Sequence, residues 1–252
     1  MPLLVYRTSD VARAGKVHAN TVRLYEAWGY IPAAQRAANG YRVFTAYHLD
    51  QIRVVRLALR LSWVSGPIRA AALGVIARSA AVDVAAAHEA DLLDVLLTAE
   101  QAQAEAALRV VESWIAGVTS SEPSPAALSI SEAARILGVS IDMLRNWERN
   151  GLIDVPRHPA NGYRQYGAPQ IARLRVIRTL RRARYSTMAI LRMLRRLDTG
   201  QMSDVRAALD TPDPDDDIQY VTDRWLSTLA ELRAALDELR VLLAQMRAVY
   251  PD

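Results

Sequence analysis

Arginines recur in a fixed pattern along this chain of 252 residues. Arg23, Arg42, Arg53 and Arg56 return as Arg145, Arg164, Arg175 and Arg178, always at an offset of 122 residues. A guanidinium never loses its charge and presents a planar fork of donors, so its chemistry is anion binding, bidentate where the anion is a phosphate or a guanine edge. Other chemistries are excluded or unmarked. With no cysteine there is no disulfide, thiolate metal site, iron–sulfur cluster or thiol redox sensor. His18, His48, His88 and His158 are scattered, without metal-ligand spacing. No glycine-rich phosphate loop, Ser/His/Asp set or paired-carboxylate cleft is readable. The expectation is a binding protein rather than an enzyme, with no metal and no cofactor.

Net charge is only +4, but it is unevenly spread. Residues 1–80 carry 11 basic and 3 acidic side chains, and residues 129–200 carry 14 and 5. The intervening 81–128 carry 1 and 8, and 201–252 carry 5 and 11. Basic blocks suit a polyanion, because neutralised phosphates release counterions. Solvated helix faces produce the same counts, so charge alone leaves both readings open. Of the 31 basic residues only Lys16 is a lysine, a skew that fits a GC-rich genome as well as a functional choice. No apolar run approaches the roughly 20 residues of a membrane span, and the amino terminus lacks a signal-peptide pattern. A soluble cytoplasmic protein with no membrane partner is expected.

The elements that must position these arginines are duplicated. Residues 9–72 align with 131–194 without a gap. Ser9, Ala12, Arg13, Glu26, Gly29 and Ile31 fall on Ser131, Ala134, Arg135, Glu148, Gly151 and Ile153. Ala38-Asn39-Gly40-Tyr41-Arg42 falls on an identical block, Ala160-Asn161-Gly162-Tyr163-Arg164. Two copies are too few for a solenoid, so the reading is a duplicated domain.

In the second copy Ser129 and Glu132 form a capping box, and Gly138 ends the helix as a left-handed cap. Ser140 caps a second helix, which Gly151 closes. Two short helices around a glycine-containing turn are a helix-turn-helix. Asn161-Gly162 is then a strong hairpin signal, because both positions tolerate positive φ, and a hairpin in this place is a wing. A longer helix with Ile171, Leu174, Ile177 and Leu180 follows, then another with Ile190, Leu191 and Leu194 inward. The first copy repeats the pattern, with Thr8 or Ser9 as first cap, a wing at Asn39-Gly40 and Leu49, Ile52, Val55 and Leu59 on the long helix. Tyr25 and Trp147 read as core anchors rather than base contacts.

The stretch Thr21-Val22-Arg23-Leu24-Tyr25-Glu26-Ala27-Trp28-Gly29-Tyr30-Ile31 resembles the recognition-helix signature of MerR-family regulators, as does Leu144–Ile153. The wing pattern of that family matches Gly40-Tyr41-Arg42-Val43-Phe44 and Gly162-Tyr163-Arg164-Gln165-Tyr166. The resemblance implies a winged helix-turn-helix followed by a dimerising coiled coil. It also implies transcription control by distortion of promoter double-stranded DNA, with RNA polymerase as a candidate partner. Carried over, Arg23 and Arg145 reach DNA from the recognition helices, and Tyr41, Arg42, Tyr163 and Arg164 clamp phosphates from the wings. The variable positions are His18, Ala19, Asn20 and Thr21 in one copy, and Ser140, Ile141, Asp142 and Met143 in the other. Asn20 can read adenine, whereas Asp142 repels phosphate, so two unlike half-sites or one weak copy are expected.

The acidic stretches read as long helices. Ile218, Thr222, Trp225, Leu229, Leu232, Leu236, Leu239, Leu243, Met246 and Tyr250 make a seam of fours and threes, as in a coiled coil. In 83–118 the inward set reads as Leu92, Leu96, Ala99, Ala106, Val110, Trp114 and Val118. These helices pair within one chain as a pseudo-dimer, or between two chains as a homodimer; the sequence leaves both open. An apolar or aromatic effector is a candidate partner, with Trp63, Trp114, Tyr185, Tyr220 and Trp225 as pocket residues; ordinary core aromatics are the competing reading. The expected fold is mainly α: two winged helix-turn-helix domains, 1–80 and 129–200, each with a small β-hairpin wing and a following long helix. An alanine-rich helix fills 81–119, a linker 120–128, and an acidic linker with a coiled-coil-like helix 201–252. Besides a ligand-responsive, sequence-specific regulator, the readings to be weighed are an architectural DNA-bridging protein and a drug-sequestering protein.

Overall fold

A computed structural model describes residues 5–80, 85–117, 127–212 and 221–250. Tyr220 and Ile218 of the expected pocket and seam lie outside them. The chain forms two compact units, Met1–Ala99 with Ala230–Asp252, and Glu100–Leu229.

In the first unit α1 (Thr8–Gly15) and α2 (Ala19–Ala27) form the helix-turn-helix. The cap of α1 is Arg7, one residue before the expected Thr8 or Ser9. The cause is Asp10, whose carboxylate accepts the Arg7 N–H at 2.9 Å and so fixes the start of the helix one residue earlier. Strands β1 (Gln35–Arg36) and β2 (Arg42–Val43) pair antiparallel as the wing, with Gln35 opposite Val43 and Arg36 opposite Arg42. Tyr6 adds an antiparallel bridge to Phe44. Helices α3 (Ala46–Leu61) and α4 (Pro67–Ala80) close the core around Val11, Val22, Ile31, Phe44, Ile52 and Val55. Gly15 permits the approach of α1 to α3, since a Cβ there would meet Ile52 Cγ1 at 2.8 Å.

Two long helices enter both units, α5 (Ala85–Ile115) and α11 (Trp225–Val249). Within the first unit they run antiparallel. Asp94 pairs with Arg233, and Arg240 reaches back to Asp91 at 3.1 Å and Asp94 at 3.5 Å. The far end of α11 then sits on α3: Tyr250 Oη donates to Asp50 at 3.2 Å, and its ring meets Tyr47 edge-on at 5.0 Å.

The second unit repeats the domain with α6 (Ile130–Leu137), α7 (Ile141–Arg149), α8 (Ala168–Arg182) and α9 (Thr187–Asp198). Ser129 and Glu132 form the expected capping box, and Gly138 is left-handed at φ 60. Leu137, Leu144, Trp147, Leu174 and Ile177 are buried, so Trp147 is a core anchor. This copy is seated on α5. Arg184 Nε donates to Glu100 at 2.8 Å, Gln103 Nε2 to the Arg182 carbonyl at 2.8 Å, and Tyr185 Oη to the Ala104 carbonyl at 3.4 Å. Short α10 (Val205–Asp210) leads back, and Asp210 Oδ1 accepts the N–H groups of Leu226 and Ser227 at 2.9 and 3.1 Å at the start of α11.

The α11 seam is as expected at Trp225, Leu229, Leu232, Leu236, Leu239 and Met246, all buried. The α5 seam is not. Ala86, Ala90, Leu93, Leu97, Ala104, Leu108 and Val111 are buried, while Leu92 and Val110 are exposed. The alanines fit either face, so a frame shifted by one position satisfies the same four-and-three spacing. The true seam puts Asp94 beside it, within reach of Arg233.

Candidate nucleic-acid interface

Each copy presents the start of its second helix, an exposed arginine one turn on, and a wing. His18 caps α2, its Nδ1 accepting the Asn20 N–H at 3.3 Å, and Ser140 caps α7, its Oγ accepting the Met143 N–H at 3.1 Å. Both candidates therefore hold a helix start, where free N–H groups and the helix dipole favour an anion. Arg23 Nη1 donates to Asn20 Oδ1 at 3.1 Å, and Arg145 Nη1 donates to Asp142 Oδ1 at the same distance. The geometry is shared but the charge is not, and the Asp142 side chain is 88% exposed. Thr21 is half-buried, whereas Met143 is exposed.

At the wings Gly40 and Gly162 take φ of 77 and 72, and the side chains of Asn39 and Asn161 accept the N–H groups of Tyr41 and Tyr163 at 3.2 and 3.1 Å. These turns project Tyr41 and Tyr163, each 74% exposed. Arg42 and Arg164 lie further in. Arg42 Nε donates to Glu26 at 2.6 Å and Arg164 Nε to Glu148 at 2.7 Å, each pair half-buried. They fasten each wing to the second helix of its own copy.

Two cations escaped the sequence reading. Arg36 Nη1 donates to the Gly40 carbonyl at 3.0 Å, and Arg157 Nη1 to the Gly162 carbonyl at 3.3 Å. Both are exposed, Arg36 on β1 and Arg157 at an isolated antiparallel bridge to Arg164, since the second wing forms bridges rather than strands. In the second copy Arg157, not His158, faces Arg164, so this segment is displaced by one residue relative to the constant offset. An ungapped alignment pairs Arg36 with His158 and hides the equivalence.

Of the five aromatics read as a pocket, Tyr220 lies outside the described residues, Trp63 belongs to the first unit, and Trp114, Tyr185 and Trp225 belong to the second. Trp63 is 75% exposed on the first unit. Tyr185 and Trp225 are buried in the second, where packing against α5 fills the space around the Tyr185 ring and burial pushes its hydroxyl well above the usual tyrosine range. Trp114 lines a cleft in that unit.

A helix-turn-helix, a wing and an exposed arginine, present twice, define a DNA-binding protein of the winged helix-turn-helix class. The model of the MerR HTH family regulatory proteins matches residues 128–197, and that of the MerR family regulatory proteins matches residues 7–44. A probable heavy metal-dependent transcriptional regulator of Haemophilus influenzae is 36% identical over 76 residues, 30% of this chain and 59% of that protein. The mercuric resistance operon regulatory protein of Serratia marcescens is 30% identical over 112 residues, 44% of this chain and 74% of that protein. The regulator CueR of Escherichia coli is 33% identical over 55 residues, 22% of this chain and 41% of that protein. No solved structure matches the chain significantly. The chain belongs to the MerR family and is a DNA-binding transcription regulator, not an enzyme. No described helix is long and apolar enough to cross a membrane.

Proposed function

We propose that one chain reads two unlike half-sites in a promoter, acting as a self-contained pseudo-dimer in the bacterial cytoplasm. Residues 1–80 and 129–200 are its two DNA-reading domains. Regulators of this family bind double-stranded DNA and usually act as dimers. The observation that carries the proposal is the crossed seating of the two copies. The first copy is held by Tyr250 of the helix that follows the second, and the second by Glu100, Gln103 and Ala104 of the helix that follows the first. Each repeat thus supplies what the other needs, a role that a partner chain would otherwise fill.

Arg23 and Arg145 reach base edges or phosphates from the second helices, beside Asn20, Thr21 and Met143. Tyr41 and Tyr163 meet the backbone from the wings, and Arg42 and Arg164 set the wing angle while offering their outer edges to phosphate. The unlike character of the half-sites rests on Asn20 against Asp142. An acceptor-only carboxylate favours a cytosine amino group and disfavours phosphate, whereas an amide also serves adenine. An effector that biases the protein between two DNA-bound states would make the response ligand-dependent.

The experiment is selection of duplexes from a random pool by the purified chain, followed by the same selection with Arg23→Ala and Arg145→Ala. Each variant should lose preference at different base pairs, at about 1–3 kcal/mol per lost bidentate contact. Loss of the same base pairs in both would contradict two separate half-sites.

A further inference from the structure

A cleft of about 420 Å³ opens in the second unit between the end of α5, the turn after α7 and the start of α8. Its volume falls in the range of small-molecule sites, roughly 300–1,000 Å³. Trp114, Ile153, Asp154, Gln170, Arg173 and Asp198 line it, with Gly151 and Pro169.

The duplication supplies an internal comparison, because the same place in the first unit is filled. Pro169 corresponds to Tyr47, which packs edge-on against Tyr250 at 5.0 Å. Arg173 corresponds to Gln51, and both serve the same backbone carbonyl. Gln51 Nε2 donates to the Tyr30 carbonyl at 3.0 Å, and Arg173 Nε to the matching Leu152 carbonyl at 2.8 Å. Gln51 Nε2 also donates to the buried Ser79 Oγ at 2.9 Å, where Arg173 pairs with Asp198, and Asp154 corresponds to Pro32. The first unit is therefore closed there by the Tyr47 and Tyr250 rings over a neutral Gln51–Ser79 pair. The second is open, and its wall is charged.

The charges do not cancel. Arg173 is held bidentately by Asp198 at 2.6 and 2.8 Å, which holds the Asp198 carboxyl below the usual carboxylate range and neutralises the pair. Asp154 is exposed and makes no ion pair among the described residues. What remains is one free carboxylate near a half-exposed indole. An indole face and a carboxylate together attract a cation whose body is itself apolar or aromatic, and they disfavour an anion.

We propose that this cleft binds a small organic cation with an aromatic body. Gly151, Ile153 and Asp154 follow directly on the DNA-reading helix α7, and Pro169, Gln170 and Arg173 belong to the first turns of α8. An occupant would join the second DNA-reading element to α5. That consequence for DNA rests on the function proposed above; binding itself does not.

The test is calorimetric titration of the full chain, without DNA, with benzyltrimethylammonium and with benzylsulfonate, which differ mainly in the sign of charge. The cation should bind once per chain and the sulfonate should not. Asp154→Asn and Trp114→Ala should each weaken cation binding by about tenfold. Pro169→Tyr, which introduces the side chain of the filled unit, should abolish it without lowering the unfolding midpoint. Asp154 is exposed on a turn, so its substitution is read on a folded protein. Absence of cation binding, equal binding of the sulfonate, or undiminished binding by Asp154→Asn overturns the proposal. Because DNA is absent, failure here leaves the half-site reading standing, and failure of the half-site selection leaves this one standing.

Discussion

Arg164 donates its Nε proton to Glu148 across 2.7 Å, so the wing of the second copy is fastened to α7 beside it. Arg42 and Glu26 repeat the arrangement at 2.6 Å. In the proposed function each acidic partner stands on a surface that faces phosphates. A negative charge is unfavourable there unless it holds something in place, and here it holds the wing arginine.

That conflict of signs gives a decisive substitution. If Glu148 were only a nearby negative charge, Glu148→Gln would strengthen DNA binding. As an anchor of the wing it should do the reverse, weakening binding by about 1 kcal/mol, roughly fivefold, with Glu26→Gln behaving alike. Fluorescence anisotropy on a selected duplex measures it. Tighter binding by both variants would overturn the anchoring role.

Asp142 carries the opposite expectation. Its carboxylate is exposed and holds Arg145 from the side, as the neutral Asn20 holds Arg23. Asp142→Asn keeps the hydrogen bond and removes the charge, so affinity should rise by roughly threefold to tenfold at low salt and the difference should shrink as salt increases. Asn20→Asp should do the converse in the first copy. A salt series of binding isotherms reads both.

The first helix of each copy ends in a left-handed residue, Lys16 at φ 50 and Gly138 at φ 60. A lysine there bears a steric cost that glycine avoids. Lys16→Gly should stabilise the first unit by about 0.5–1 kcal/mol, and Gly138→Lys should destabilise the second by about 1 kcal/mol. Denaturant unfolding checks the two signs together.

His48 is buried at the start of α3, where its Nδ1 accepts the Thr45 N–H at 3.1 Å. Burial lowers its pKa below the usual 6.5, outweighing Glu26 and the Pro32 carbonyl, which act in the other direction. The folded state therefore resists protonation more than the unfolded chain does. The stability this confers is present above pH 6.5 and is lost as pH falls below it. In the second copy Gln170 makes the same bond, its Oε1 accepting the Gly167 N–H at 3.2 Å. His48→Gln should keep the cap and remove this component of the pH dependence, which thermal unfolding between neutral and mildly acid pH measures.

The features legible in the sequence were local or repeated. The Ser129–Glu132 box, the left-handed Gly138, the Asn-Gly wing turns and the leucine seam of α11 depend on neighbours within one or two turns. What escaped depends on tertiary packing. Trp63 and Tyr185 occupy equivalent positions, yet one is 75% exposed and the other fully buried, because Tyr185 packs against α5 at Ala104. The one-residue displacement of the first wing segment hid Arg36 and Arg157. Alanine left the face of α5 undetermined until Leu93 and Leu97 were seen buried in place of Leu92 and Leu96.

One chain is proposed to form a complete reader of two half-sites. The most direct measurement is native mass spectrometry of the full chain on a duplex selected from a random pool, with a footprint of the same complex. The expected result is one chain per duplex protecting two unlike half-sites. Two chains per duplex, or one chain protecting a single half-site, would contradict it.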